Sequence, residues 1–148
     1  CICGKKQAHA YINRISGPLL DRFDIQVEVA PVEYEHLSSG AKEESSEAIR
    51  ERVQAAREIQ QKRFAGTDIT CNAMITPDIL HDVCPMTDEA SVMLKNVFEK
   101  MGLSARAYDR ILKVARTVAD MEGEDVIGKS HIARAVQFRS LDRKYWSE

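Results

Sequence analysis

The sequence predicts an all-α protein, a bundle of about five helices preceded by one short strand-like segment. Three observations carry this. From residue 38 onward apolar residues recur at three- and four-residue spacing. Ser, Thr and Gly stand where those stretches should start and stop. Before residue 38 the one alternating run, Ile25, Val27 and Val29, has no second run to pair with.

Residues Cys1 to Arg14 are polar and basic, with Lys5, Lys6 and Arg14 and no acid. A Gly17-Pro18 turn leads to the strand-like run, which carries Gln26 and Glu28 on its other face. A lone strand leaves its backbone groups unpaired, so this one is expected to be frayed and to belong to a sheet completed by other residues. Ser38-Ser39-Gly40 reads as a linker dividing a first region, 1–37, from a helical second region, 38–148. The first helix there runs from about Ser45 to Phe64, with Ile49, Val53, Ala56 and Ile59 on one stripe, and Gly66 ends it. Thr76-Pro77-Asp78 opens a short helix to about Val83, closed by Cys84-Pro85. Thr87 caps a helix to about Met101 that turns Ala90, Leu94, Val97, Phe98 and Met101 inward. Ser104 opens the next, which carries Tyr108, Ile111, Leu112, Ala115, Val118 and Ala119 and stops near Gly123. A last helix from about Lys129 to Phe138 buries Ile132, Ala135 and Val136, and a basic, aromatic tail follows.

Composition narrows the function. At 44% hydrophobic and 30% charged residues the chain can build one ordinary core. No apolar run approaches the ~18 residues that span a bilayer, so no membrane role is expected. A net charge of -2 excludes a uniformly basic nucleic-acid binder. The acids between Glu33 and Glu51 read as a solvated helix face or a linker. Cys1, Cys3, Cys71 and Cys84 do not form a secreted disulfide framework, which points to a cytoplasmic protein. Cys1 and Cys3 have the spacing of two zinc ligands with His9 as a third candidate, but a tetrahedral site needs four, so disordered thiols are the plainer reading and no metal is expected in this chain alone. His9, His36, His81 and His131 are scattered, with no nucleophile beside them.

Two arginines stand out. Arg106 falls in the first turn of the helix opened by Ser104, where the helix dipole makes a cation unfavourable by about 0.3–1 kcal/mol and attracts anions instead. An arginine there suits a phosphate ligand. It shares a face with Arg110 and Lys113, and the plainer reading is an exposed charged surface. Arg22, in Ile15-Ser-Gly-Pro-Leu-Leu-Asp-Arg-Phe-Asp24, sits on a loop from which its guanidinium can reach a neighbouring subunit's phosphoryl group. Its plainer reading is a surface pair with Asp21 or Asp24, worth about 0–1 kcal/mol. No G-x-x-x-x-G-K-[ST] loop occurs in the chain.

The runs Tyr11 to Asp24, Gly102 to Asp120 and Phe138 to Trp146 resemble the C-terminal third of the magnesium-chelatase-like AAA+ ATPases of the bacterial competence protein ComM type. This resemblance implies a helical lid domain preceded by the end of an AAA+ core. It implies Arg22 as an arginine finger acting in trans, Arg106 as the second nucleotide sensor, and Arg110 as a weaker phosphate contact. ATP and Mg2+ belong to the parent protein, whose phosphate-binding and magnesium-binding motifs would precede Cys1, and this chain alone is expected to be inactive with neither bound. The implied partners are the rest of the core and the neighbouring subunits of a homo-oligomeric, hexameric ring. The implied work is ATP-driven remodelling of DNA in recombination and transformation, with a metal chelatase motor as the alternative substrate class. A rival from another class is a helical module with no nucleotide role. It would bind DNA or protein through Arg106, Arg110, Lys113 and the Arg139 to Lys144 tail, with Tyr145 and Trp146 stacking on bases or docking on the bundle.

Overall fold

The computed structural model describes residues 4–12, 14–16, 19, 21–34, 38 and 43–139. Helix α1 spans Lys5–Ile12. Five helices follow from residue 46: α2 (Ser46–Arg63), α3 (Leu80–Val83), α4 (Asp88–Met101), α5 (Ala105–Glu122) and α6 (Lys129–Gln137), with a 3-10 turn at Asn72–Met74. These are the helices expected from the spacing of apolar residues, except that α3 begins at Leu80 after a turn over residues 77–79 and is not capped by Thr76. The caps explain why they start where they do. Ser45, Thr87 and Ser104 are in extended conformation and each accepts from the backbone N–H three residues on.

Helices α4 and α5 stop for a common reason. Gly102 and Gly123 adopt the left-handed conformation, at φ 59° and 75°. Leu103 N–H then bonds Phe98 C=O at 3.2 Å and Glu124 N–H bonds Ala119 C=O at 2.9 Å, closing each helix end.

Helix α5 is the hub of the bundle. Ile111, Leu112, Ala115 and Ala119 are buried on it, and they pack with Leu80, Leu94, Ile127 and Ile132 from the elements around. Each such large aliphatic side chain contributes about 1.5–3 kcal/mol on burial. The loops before α4 and α6 are pinned side by side, with Thr87 N–H on Ile127 C=O and Ile127 N–H on Pro85 C=O, at 3.1 and 2.8 Å. Beyond them, His131 replaces the usual carboxylate at the start of α6. Its Nδ1 accepts from Gly128 N–H at 2.9 Å, while Nε2 faces Glu122 at 2.9 Å.

The run over Ile25, Val27 and Val29, expected as a frayed strand, is extended but forms no strand, because the described residues offer no second strand to ladder with it. Two further expectations are corrected. The stripe on α2 meets a core only at Ala56 and beyond. Ile49 and Val53 stay 42% and 47% exposed, since the first half of α2, residues 46–55, is exposed all round. Phe98 is not inward, at 38% exposed, and lies edge-on to Tyr108 with ring centres 6.0 Å apart. No described helix is long and apolar enough to cross a membrane.

Candidate functional site

The loop bearing Arg22 is built by tight backbone turns, with Leu19 N–H on Ser16 C=O at 2.9 Å and Arg22 N–H on Leu19 C=O at 3.0 Å. It docks on the bundle at four points. Asp21 accepts from the Ser104 hydroxyl at 2.9 Å. Asp24 pairs with Arg110 of α5. The buried Arg139 donates to Phe23 C=O at 2.8 Å and reaches Asp21 at 3.4 Å. Gln26 N–H bonds Phe138 C=O at 2.8 Å, so the C-terminal end of α6 completes the clamp.

Arg106 enters the same site from α5. It is the second residue of that helix and is exposed. Ser104 Oγ satisfies the Ala107 N–H at 3.2 Å while donating to Asp21, so the helix cap and the loop contact are made by one hydroxyl. Neither the Arg22 nor the Arg106 guanidinium has a hydrogen-bond or ionic partner among the described residues. Two segments 83 positions apart at their Asp21–Ser104 contact thus carry two exposed cations, neither with a partner among the described residues.

The remaining candidates fare differently. Arg110 is engaged by Asp24, and Lys113 donates to Ala73 C=O at 3.3 Å, so two of the three cations on the basic face already have partners in the chain. Cys1, Cys3, Gly17, Pro18, His36, the His9 side chain and the tail residues Arg143, Lys144, Tyr145 and Trp146 lie outside what the structure describes. Among the described residues no three His, Cys, Asp or Glu side chains group to hold a metal.

Sequence reasoning missed a buried polar cluster toward the other end of α5. Arg63 of α2 grips Asp120 of α5 with both terminal nitrogens, and Asn72 and Arg116 also donate to that carboxylate, at 2.8 and 3.1 Å. Arg116 also donates through its two terminal nitrogens to the carbonyls of Glu124 and Asp125, which closes the loop into α6. The signal was present: Arg116 and Asp120 continue the four-residue spacing of Tyr108 and Leu112, on the face where charge is least expected.

With this geometry in hand, comparison with known proteins identifies the lineage. Residues 43–139 match the family described as "Magnesium chelatase, subunit ChlI C-terminal", and residues 1–37 match "Magnesium chelatase, subunit ChlI". The chain belongs to the magnesium chelatase ChlI family. It is 41% identical over 139 residues to the Haemophilus influenzae protein named "Competence protein ComM", covering 93% of this chain and 26% of that protein. An uncharacterized Escherichia coli protein, YifB, is 39% identical over 142 residues, with 95% of this chain and 27% of that one covered. An uncharacterized Mycobacterium bovis protein is 32% identical over 139 residues, covering 94% of this chain and 27% of its own length. The chain therefore spans about a quarter of the length of the curated relatives it matches. The boundary between the two family matches, between residues 37 and 43, lies between the Arg22 loop and the helical bundle.

Proposed function

We propose that this chain is the lid-bearing part of a ring-forming AAA+ ATPase, in which Arg22 acts as an arginine finger on a neighbouring subunit's ATP and Arg106 senses the nucleotide from the lid. The observation that carries this reading is that two exposed guanidiniums, without partners among the described residues, sit on segments bonded through Asp21 and Ser104. A planar guanidinium spans two phosphate oxygens and stays charged, so a pair of them suits a polyphosphate. ATP would supply the transferable phosphoryl group, with Mg2+ held by residues of the ring other than these. This chain contributes charge and position. A DNA substrate fits better than a porphyrin, since the Haemophilus influenzae relative carries the name of a competence protein. Engagement of Arg110 and Lys113 within the chain weighs against a basic face serving as a free-standing DNA-binding module.

The test is hydrolysis by the complete assembled ATPase carrying Arg22→Ala or Arg106→Ala. Each should fold and assemble yet lose turnover, since a finger arginine contributes about 10³–10⁵ in rate. Mixing each variant with subunits lacking the phosphate-loop lysine should give different patterns of rescue, because a residue acting in trans and one acting from the lid complete different composite sites. Hydrolysis near the wild-type rate by both single variants would favour the interaction-module reading.

A further inference from the structure

We infer that Arg139, the buried arginine just past α6, is a positioning residue that holds Arg22 in register with Arg106, making the finger and the sensor one rigid unit with the lid. This inference rests on the finger reading of Arg22. Its basis is where the contacts fall. Arg139 is 1% exposed, and its two terminal nitrogens reach the Asp21 carboxylate and the Phe23 carbonyl, at 3.4 and 2.8 Å, the residues on either side of Arg22. The preceding carbonyl, Phe138, takes the Gln26 N–H at 2.8 Å, so the end of α6 grips the loop at residues 21, 23 and 26 while leaving the Arg22 side chain outside.

The other half of the clamp comes from α5. Ser104 holds the second oxygen of Asp21 at 2.9 Å, two residues before Arg106, and Arg110 holds Asp24. A loop whose flanking residues are fixed by two lid helices moves when the lid moves. Placing a catalytic group within a fraction of an ångström is what such a buried bidentate contact accomplishes, and a 1 Å displacement can cost about 10²-fold in rate. A lysine at 139 could keep the charge and one of the two contacts but not the fork.

Three single variants, Arg22→Ala, Arg139→Met and Arg139→Lys, and the double variant Arg22→Ala/Arg139→Met, would be compared in the complete assembled ATPase with ATP as substrate. Arg139→Met should lower kcat by about 10²-fold with KM for ATP little changed, and Arg139→Lys should recover part of it. The double variant should be no slower than Arg22→Ala alone, because Arg139 acts only through Arg22. Hydrogen exchange read by mass spectrometry on the same assemblies should show faster exchange in the peptide containing Arg22 to Gln26 and unchanged protection around Leu112 and Ala115. Full activity in Arg139→Met alongside a collapsed Arg22→Ala would overturn the positioning role and leave the finger reading standing. Full activity in both would overturn the finger reading as well. If the Met variant does not fold, Arg139→Lys and Asp21→Asn carry the test: each must loosen the 22–26 peptide and lower kcat with KM held, and wild-type turnover in both overturns the inference.

Discussion

Arg63 and Asp120, 57 positions apart, meet as a two-point ion pair whose carboxylate has no solvent exposure. With Asn72 and Arg116 donating to the same two oxygens, one acid ties α2, the 3-10 turn and α5 together, and Arg116 carries the tie to the start of the α5–α6 connection. Burial pushes the Asp120 carboxyl up, but the hydrogen bonds from Arg63 and Asn72 and the charges of Arg63 and Arg116 outweigh it and hold the group below the ordinary aspartate value.

Removing that acid should be severe. Asp120→Ala leaves the fully buried Arg116 without its ionic partner, and the expected loss is about 3–5 kcal/mol in urea unfolding. The pH dependence has a definite sign. An aspartate whose folded pKa lies below its unfolded value of about 3.9 stabilises fully above that value and loses its contribution as pH falls through the folded one. The chain should therefore lose stability below about pH 4 more steeply than Asp120→Asn does, and the gap between the two should narrow in acid. Parallel acid slopes would contradict this.

Ser104 does two jobs that substitutions can separate. Ser104→Ala removes the cap on Ala107 N–H and the bond to Asp21, and should lower stability by about 0.5–2 kcal/mol. Asp21→Ala leaves the cap in place and removes only the loop contacts to Ser104 and Arg139. Exchange at the Arg22 amide should quicken in both variants, whereas amides of the first turn of α5 should quicken in Ser104→Ala alone. Equal effects on α5 in both would show that the loop, and not the cap, stabilises that helix.

The two described cysteines should differ sharply as nucleophiles. Burial pushes the Cys84 thiol up to about 11, the nearby guanidiniums of Arg116 and Arg63 offsetting only part of it. Cys71 is half-buried. Burial raises its thiol too, yet the bond from Arg57 and two backbone donors bring it below the ordinary value. Iodoacetamide at pH 8, followed by peptide mass mapping, should modify Cys71 long before Cys84, since the thiolate is the reacting form. Cys84 should react only as fast as the bundle unfolds. Comparable labelling of the two in the folded chain would refute the assignment.

Helix by helix, what could be read in advance was local. Ser45, Thr87 and Ser104 mark helix starts because each side chain satisfies a donor three residues away, and Gly102 and Gly123 mark ends because the left-handed turn is open to glycine without strain. Such interactions reach only a few positions along the chain, so the sequence carries them openly. The family was legible for a similar reason, in contiguous runs around Arg22 and Arg106. Tertiary structure alone decided what those arginines stand beside. That Asp21 would find Ser104, that Arg139 would straddle Arg22, and that Arg63 would cross to Asp120 are pairings over 83, 118 and 57 positions, which no local periodicity encodes. It also decided which stripes met a core: Ile49 and Val53 share a helix face by spacing just as Leu112 and Ala115 do, yet only the second pair lies where other helices converge. Spacing orients a side chain on its own helix, and burial depends on what the rest of the chain brings against it.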